Sequence, residues 1–133
     1  MICPCGSKKG YISCCGVYIS GKCKAPNPEK LMRSRYTAFT QNNIQYIEKT
    51  MKKTALKQYQ KDHNDSSNAK VKWVKLQVLS SFEEGNIGRV EFKAFFLSRG
   101  KSYVLYERSD FEKIDQEWFY VDGNAQVKEV LNT

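Results

Sequence analysis

Five cysteines carry the sharpest chemistry in this 133-residue sequence, and all of them fall within its first 23 residues. Cys3, Cys5, Cys14 and Cys15 are spaced C-x-C-x8-C-C. Cys3-Pro4-Cys5 is a rigid turn that places two sulfurs on one side. Gly6-Ser7 lets the chain fold back, so that adjacent Cys14-Cys15 closes a four-sulfur set. Four thiolates at about 2.3 Å suit a tetrahedral zinc ion, and a short loop with little core to bury needs such a staple. Four protein ligands leave no open position, so this zinc is expected to be structural rather than catalytic. The competing chemistry for vicinal thiols is redox exchange. Cys23 is left over, either as a free, partly buried thiol or as a substitute ligand or reactive group.

The rest of the composition bounds what such a site can belong to. The length suits one compact domain with a small appendage. With 41% hydrophobic and 27% charged residues the chain is expected to fold, and 13% aromatics imply a filled core or a lined cleft. No apolar run approaches the roughly 20 residues of a bilayer span, and MICPCGSKKG holds no stretch suited to a secretory signal. A cytoplasmic location, with reduced thiols, is therefore expected, and it favours metal over structural disulfides. The net charge of +8 is uneven: residues 1–75 hold 15 Lys/Arg against 4 Asp/Glu, and residues 76–133 hold 7 against 10. A basic first half could attract nucleic acid, ribosomes or an acidic protein. It also reads as a solvated face, with Lys8, Lys9, Lys22 and Lys24 partly neutralising a zinc–thiolate cluster of about −2.

The elements that must position these groups are legible in outline. Asn27-Pro28-Glu29 predicts a helix start with a cap, a first-position proline and an acidic first turn. Leu31, Met32, Tyr36 and Phe39 continue it on one stripe until Asn42-Asn43 breaks it. A shorter helix is expected from Ile44 to Met51, a further turn or two over 54–61, and a polar loop from Asp62 to Ala69. From Lys70 the period becomes two. About four strands follow, the last two over 103–113 and 117–122, with turns at Glu84-Gly85-Asn86, Arg99-Gly100-Lys101 and Asp115-Gln116. Helices followed by a meander predict an α+β domain with its helices on one face of a curved antiparallel sheet.

Cys3-Pro4-Cys5-Gly6-Ser7, Tyr11 and Cys14-Cys15-Gly16 together resemble a SEC-C motif, the zinc-binding element at the C-terminus of the translocase motor SecA. Many copies have His as the last ligand, where this one has Cys15. The stretch from Ala25 to Phe39 is similar to the YchJ family, and Trp73 to Leu76, Gly88 to Phe92, Glu107 to Phe111 and Trp118 to Gly123 fit the same pattern in order. That resemblance implies a SEC-C-like motif over residues 1–24 and an NTF2-like domain over 25–133. Family members typically carry a Trp-His-Pro element where this sequence reads Thr50-Met51-Lys52-Lys53, and many carry a second SEC-C motif that does not occur before Thr133.

NTF2-like folds enclose a conical cleft that serves different families as a catalytic or a binding site, so the resemblance does not decide function. No P-loop, dinucleotide fingerprint, nucleophile elbow or HExxH occurs. The single histidine, His63, falls in the expected polar loop and is a poor candidate base. Glu107 and Asp110 lie on or beside a strand, facing either solvent or the cleft. Arg33 and Arg35 sit about 200° apart on the first helix, so only one can reach inward. Arg35, Glu107 and Asp110 are the candidate cleft anchors, as a structural ion pair or as an anion-binding group. Tyr36, Phe39, Trp73, Phe92, Phe96, Tyr103 and Trp118 are assigned to core or cleft lining.

Three functions follow. The first is an interaction module, with a zinc knob recruiting a secretion chaperone or the ribosome, as the SecA likeness implies. The second is an enzyme or small-molecule carrier acting in the cleft. Nucleic-acid binding through the basic half is the third.

Overall fold

A computed structural model of the chain describes residues 1–63 and 71–131. A 3-10 turn at Tyr11–Ser13 and a short helix α1, Cys15–Ile19, open the structure. Three further helices follow: α2, Pro28–Thr40; α3, Ile44–Lys49; and α4, Lys53–His63. The sheet is an antiparallel meander of β1, Lys72–Glu84; β2, Ile87–Ser98; β3, Lys101–Ile114; and β4, Glu117–Glu129, in the order β1-β2-β3-β4. This is the α+β arrangement that the change of period predicts.

Helix α2 is the beam on which both candidate sites rest. Asn27 caps it as predicted, its side-chain oxygen accepting from Lys30 N at 2.8 Å, and Pro28 fills the first turn. Leu31, Met32 and Tyr36 are buried against the sheet. The start of the helix rests on β2 at Gly88, where a Cβ would come within 2.2 Å of Pro28 Cγ. Asn42 then turns the chain with φ 55°, and Asn43 caps α3 by accepting from Tyr46 N at 3.0 Å.

The sheet bends over this beam. Register shifts occur at Trp73/Lys75 and Val78/Ser80 on β1 and at Asp110/Phe111 between β3 and β4, and such bulges add local twist and curvature. Two apolar clusters result. One lies between α2 and the sheet and includes Cys3, Cys5 and Cys15 beside Leu31, Val90, Phe111 and Trp118. The other joins the helices through Ala38, Tyr46, Ile47, Met51 and Ala55. Tyr120 fastens the helical layer to β4: its N donates to Thr50 O at 2.9 Å and its O accepts from Lys52 N at 3.0 Å.

The structure departs from sequence expectation in several elements. Helix α4 has 11 residues rather than a turn or two, because Ala55, Leu56 and Tyr59 find cover in the helical cluster. His63 is the last residue of that helix, not a loop residue. The rest of the loop expected up to Ala69, from residue 64 on, lies outside the described residues. Helix α3 ends at Lys49, and Met51 instead forms a bridge to Tyr120. Strand β4 runs to Glu129 rather than stopping at 122, because its polar end pairs with β3 as far as Tyr103↔Glu129. No helix among the described residues is long and apolar enough to cross a membrane.

Candidate metal centre and cleft

The N-terminal cysteines converge. One ligand atom from each of Cys3, Cys5, Cys14 and Cys15 lies within 4.8 Å of the others, and the Cys5 and Cys14 sulfurs are 3.7 Å apart. A tetrahedron with metal–sulfur bonds of about 2.3 Å has edges of about 3.8 Å, so the four thiols fit a tetrahedral metal ion. Backbone pairing builds the site: Cys3 N donates to Lys9 O at 2.8 Å and Tyr11 N to Met1 O at 2.9 Å, folding the segment back on itself. Cys3, Cys5 and Cys15 are buried and Cys14 is half-buried. Cys23 is exposed and lies outside the set.

Protons compete within the cluster. A hydrogen bond from Cys15 draws the Cys5 thiol down to about 4, and the same bond, with burial, drives Cys15 up. Burial also raises Cys14. One thiolate thus forms easily and the next ones resist, which is the electrostatic problem that a bound cation solves.

The sequence suggests that four lysines partly neutralise this site. Lys8, Lys9, Lys22 and Lys24 are all exposed, and Lys24 pairs with Glu117. The cation that touches the cysteine turn is Arg33. Its Nη1 donates to Cys5 O at 2.7 Å while its Nε donates to Glu29 Oε2 at 3.0 Å. One turn further along α2, Thr37 Oγ1 lies 3.7 Å from Cys3 Sγ. The motif is therefore seated on α2 and shares the main core.

The second site is a cavity of about 590 Å³ between α2, α4 and the inner face of the sheet. Tyr36, Phe39, Trp73 and Phe92 line it, and ring contacts from Trp73 to Phe96 and from Phe96 to Tyr103, at 5.2 and 5.3 Å, continue along the sheet. Trp118 belongs to the core instead. Arg35 reaches this cavity and is only 6% exposed. Its Nη1 donates to Ile47 O at 2.8 Å and to Thr50 Oγ1 at 2.6 Å, capping the end of α3, and its guanidinium carbon stands 4.8 Å from the Tyr120 ring centroid. Burial lowers its pKa to about 10, which leaves it protonated at neutral pH.

Glu107 also lines the cavity. No ion pair joins it to Arg35, because Tyr120 stands between them, with its ring against the arginine and its hydroxyl donating to Glu107 Oε2 at 2.8 Å. Ser109 Oγ donates to the same oxygen at 2.5 Å. Burial holds the Tyr120 hydroxyl well above its ordinary pKa, so it stays a donor. Gly123 makes the arrangement sterically feasible: a Cβ there would lie 2.0 Å from Tyr120 Oη and 2.8 Å from Glu107 Oε2. Asp110 is not in this group. It pairs with Arg89 at 3.0 Å, a half-exposed pair away from the cavity. The sequence thus pointed to Arg35 and Glu107 and to a division between Arg33 and Arg35, but not to Tyr120, to Ser109 or to the contact of Arg33 with the cysteine turn. The alternation that puts Glu107 and Ser109 on one face of β3 was a usable signal.

Comparison with known proteins agrees with this geometry. The family profile described as "YchJ, middle NTF2-like domain" matches residues 27–123. The chain is 39% identical over 124 residues to UPF0225 protein YchJ of Shigella dysenteriae serotype 1, covering 92% of this chain and 82% of that protein. Two solved structures are similar. A SEC-C motif containing protein from Rhodopseudomonas palustris aligns with a TM-score of 0.83 at 36% identity, over 93% of this chain and 98% of its own. A second SEC-C motif containing protein, from Psychrobacter arcticus, gives 0.72 at 27% identity over 92% and 81%. With its cysteine cluster seated on the first helix of an NTF2-like cleft domain, the chain belongs to the YchJ family.

Proposed function

We propose that this is a binding protein in which residues 1–24 form a structural zinc knob and residues 25–133 form an NTF2-like domain that takes a small ligand in its cleft. The observation that carries the reading is Arg35, a buried guanidinium at the wall of a cavity of about 590 Å³, a volume ordinary for small-molecule sites. Zinc is the metal of choice because four thiolates in tetrahedral spacing suit it, and because two solved relatives are described as SEC-C motif proteins. In this reading the metal is structural and Arg35 is the polar anchor for the ligand, while Tyr120 and Ser109 hold Glu107 in the wall beside it.

The test is the native mass of protein purified without chelator, compared with its denatured mass and followed by a metabolite screen by thermal shift. An excess of one zinc, with a ligand-dependent rise in melting temperature, supports the reading. Absence of zinc, or a screen without any shift, counts against its respective half.

A second reading, protein capture by the knob, is favoured by Met1, Ile2 and Ile12, which the folded motif leaves exposed. By likeness to the SecA element, its partner would be a secretion chaperone or the ribosome. Capture that persists after Cys14→Ser and loss of the metal would sink it. Nucleic-acid binding through the basic first half has less support, since Lys24 pairs with Glu117, Arg33 with Glu29 and Lys53 with Glu112. A binding constant unaffected by salt would exclude it.

A further inference from the structure

We infer that the cleft selects a ligand bearing a single carboxylate on an apolar, aromatic-sized body, with Arg35 as the group that reads the carboxylate. The inference rests on the cleft-binding reading and specifies its ligand class.

Arg35 uses one nitrogen on the protein. Nη1 serves both Ile47 O and Thr50 Oγ1, and among the described residues Nε and Nη2 find no acceptor. A buried guanidinium with no carboxylate in contact is costly, and two unused N–H directions invite a planar, two-oxygen partner. The nearest candidate inside the protein, Glu107, is kept from it by Tyr120 and is already served by two hydroxyl donors.

Charge at the cavity limits how much negative charge a ligand can bring. Among the described residues, Glu107, Asp122 and Asp62 line it together with the one cation of Arg35. A phosphate with two charges would meet three carboxylates, so the balance favours one negative charge placed against Arg35. Phe39, Trp73 and Leu105 form an apolar wall that offers a surface for a ring or a branched chain.

The experiment uses the full-length, zinc-loaded protein and four matched probes: 2-naphthylacetate, 2-(2-naphthyl)ethanol, 2-(2-naphthyl)ethylamine and 2-naphthyl phosphate. Dissociation constants are read by NMR titration. The carboxylate is expected to bind about tenfold tighter than the alcohol, with the amine and the phosphate weaker than either. Arg35→Met should remove that tenfold advantage, so that the carboxylate binds no tighter than the alcohol. Arg35 also caps α3, so this variant could lose its fold. Glu107→Gln, which can still accept from Tyr120 and Ser109, provides the independent check and should tighten the carboxylate several-fold. A tighter amine or phosphate, or a carboxylate indifferent to Glu107→Gln, overturns the assignment while leaving a ligand-binding cleft in place. Failure of all four probes to bind overturns the assignment and counts against the cleft reading as well.

Discussion

Arg33 and Arg35 leave α2 two residues apart and donate to backbone carbonyls in two different sites: Arg33 to Cys5 O at 2.7 Å, Arg35 to Ile47 O at 2.8 Å. The roughly 200° between them turns one toward the cysteine cluster and the other toward the cleft. A single helix therefore bears on both the cysteine cluster and the cavity. Disturbing one site should be felt along the beam that carries the other.

The Cys5 turn depends on Arg33 for its orientation. Glu29 holds the guanidinium at 3.0 Å, and the guanidinium holds the carbonyl of a cysteine ligand. For the proposed zinc site, Arg33→Met should weaken metal retention by about tenfold in a competition with a chromophoric chelator, as loss of an outer-shell partner usually does. The stoichiometry should stay at one. Glu29→Gln should do less, since the arginine keeps its contact with Cys5. Equal retention in Arg33→Met and the parent protein would show that the turn holds itself.

Removing the metal should loosen more than the first 24 residues. Cys3, Cys5 and Cys15 pack in the same cluster as Leu31, Met32 and Tyr36, and Thr37 touches Cys3. Chelation, or Cys5→Ser, should lower the melting temperature and raise amide exchange in residues 1–24 and along α2. The β2–β3 ladder should keep its protection. The metal should also be lost on acidification, because protons compete for the thiolates and the bound form needs them removed. Exchange confined to residues 1–24 would show that the knob is an appendage without mechanical consequence.

What the sequence made legible was local. Cys3-x-Cys5 and Cys14-Cys15 announce a metal set because ligands close in sequence need little folding to meet, and Asn27-Pro28 announces a helix because a cap is a short-range hydrogen bond. The sheet turns were readable for the same reason. Helix α4 was underestimated because Lys53, Lys57, Gln58, Gln60 and Lys61 dilute its apolar stripe, and tertiary cover for Ala55 and Tyr59 decides its length. The outer half of β4 is polar and exposed, and pairing with β3 holds it rather than any burial of its own. Asp110 and Glu107, three residues apart on one strand, point to opposite faces, so β alternation separates a surface pair from a cleft carboxylate. Tyr120 escaped notice as a site residue because its role exists only where β3, β4, α2 and α3 meet.

Gly123 should tolerate no side chain. An added Cβ would displace Tyr120 Oη, 2.0 Å away, and with it the hydrogen bond to Glu107. Gly123→Ala is expected to cost about 1–3 kcal/mol, the range for overpacking a filled site. Urea denaturation would read it as a lower midpoint at unchanged slope. Gly123→Ala combined with Tyr120→Phe, which removes the clashing oxygen, should recover part of the loss. A double variant less stable than both singles would assign the cost to the backbone instead.

Alkaline pH should unfold the protein through its buried tyrosines. Burial raises Tyr46 to about 12, and its hydroxyl lies 2.7 Å from Ser34 Oγ inside the helical cluster. Tyr36 is likewise raised to about 12 by burial, and Tyr120 is raised by burial and by Glu107. In the unfolded chain these groups lose their protons near the ordinary value of about 10, whereas the folded protein keeps them. Between these values the native state binds more protons, so stability falls as pH rises. The contribution is fully present below about 10 and disappears as pH passes through 12. Arg35 works the other way. Burial lowers it to about 10, so the fold gains relative to the unfolded chain as pH rises from there toward 12.5. Three tyrosines oppose one arginine, and the net effect is destabilising. The urea midpoint should hold steady up to about pH 9.5 and decline by pH 11, with the tyrosinate absorbance of the buried rings rising only as the protein unfolds. Tyr46→Phe should make that decline shallower while lowering stability at neutral pH, where Ser34 Oγ keeps its bond to Leu31 O but loses the one to Tyr46. A midpoint flat to pH 11 would mean that these hydroxyls are reached by water.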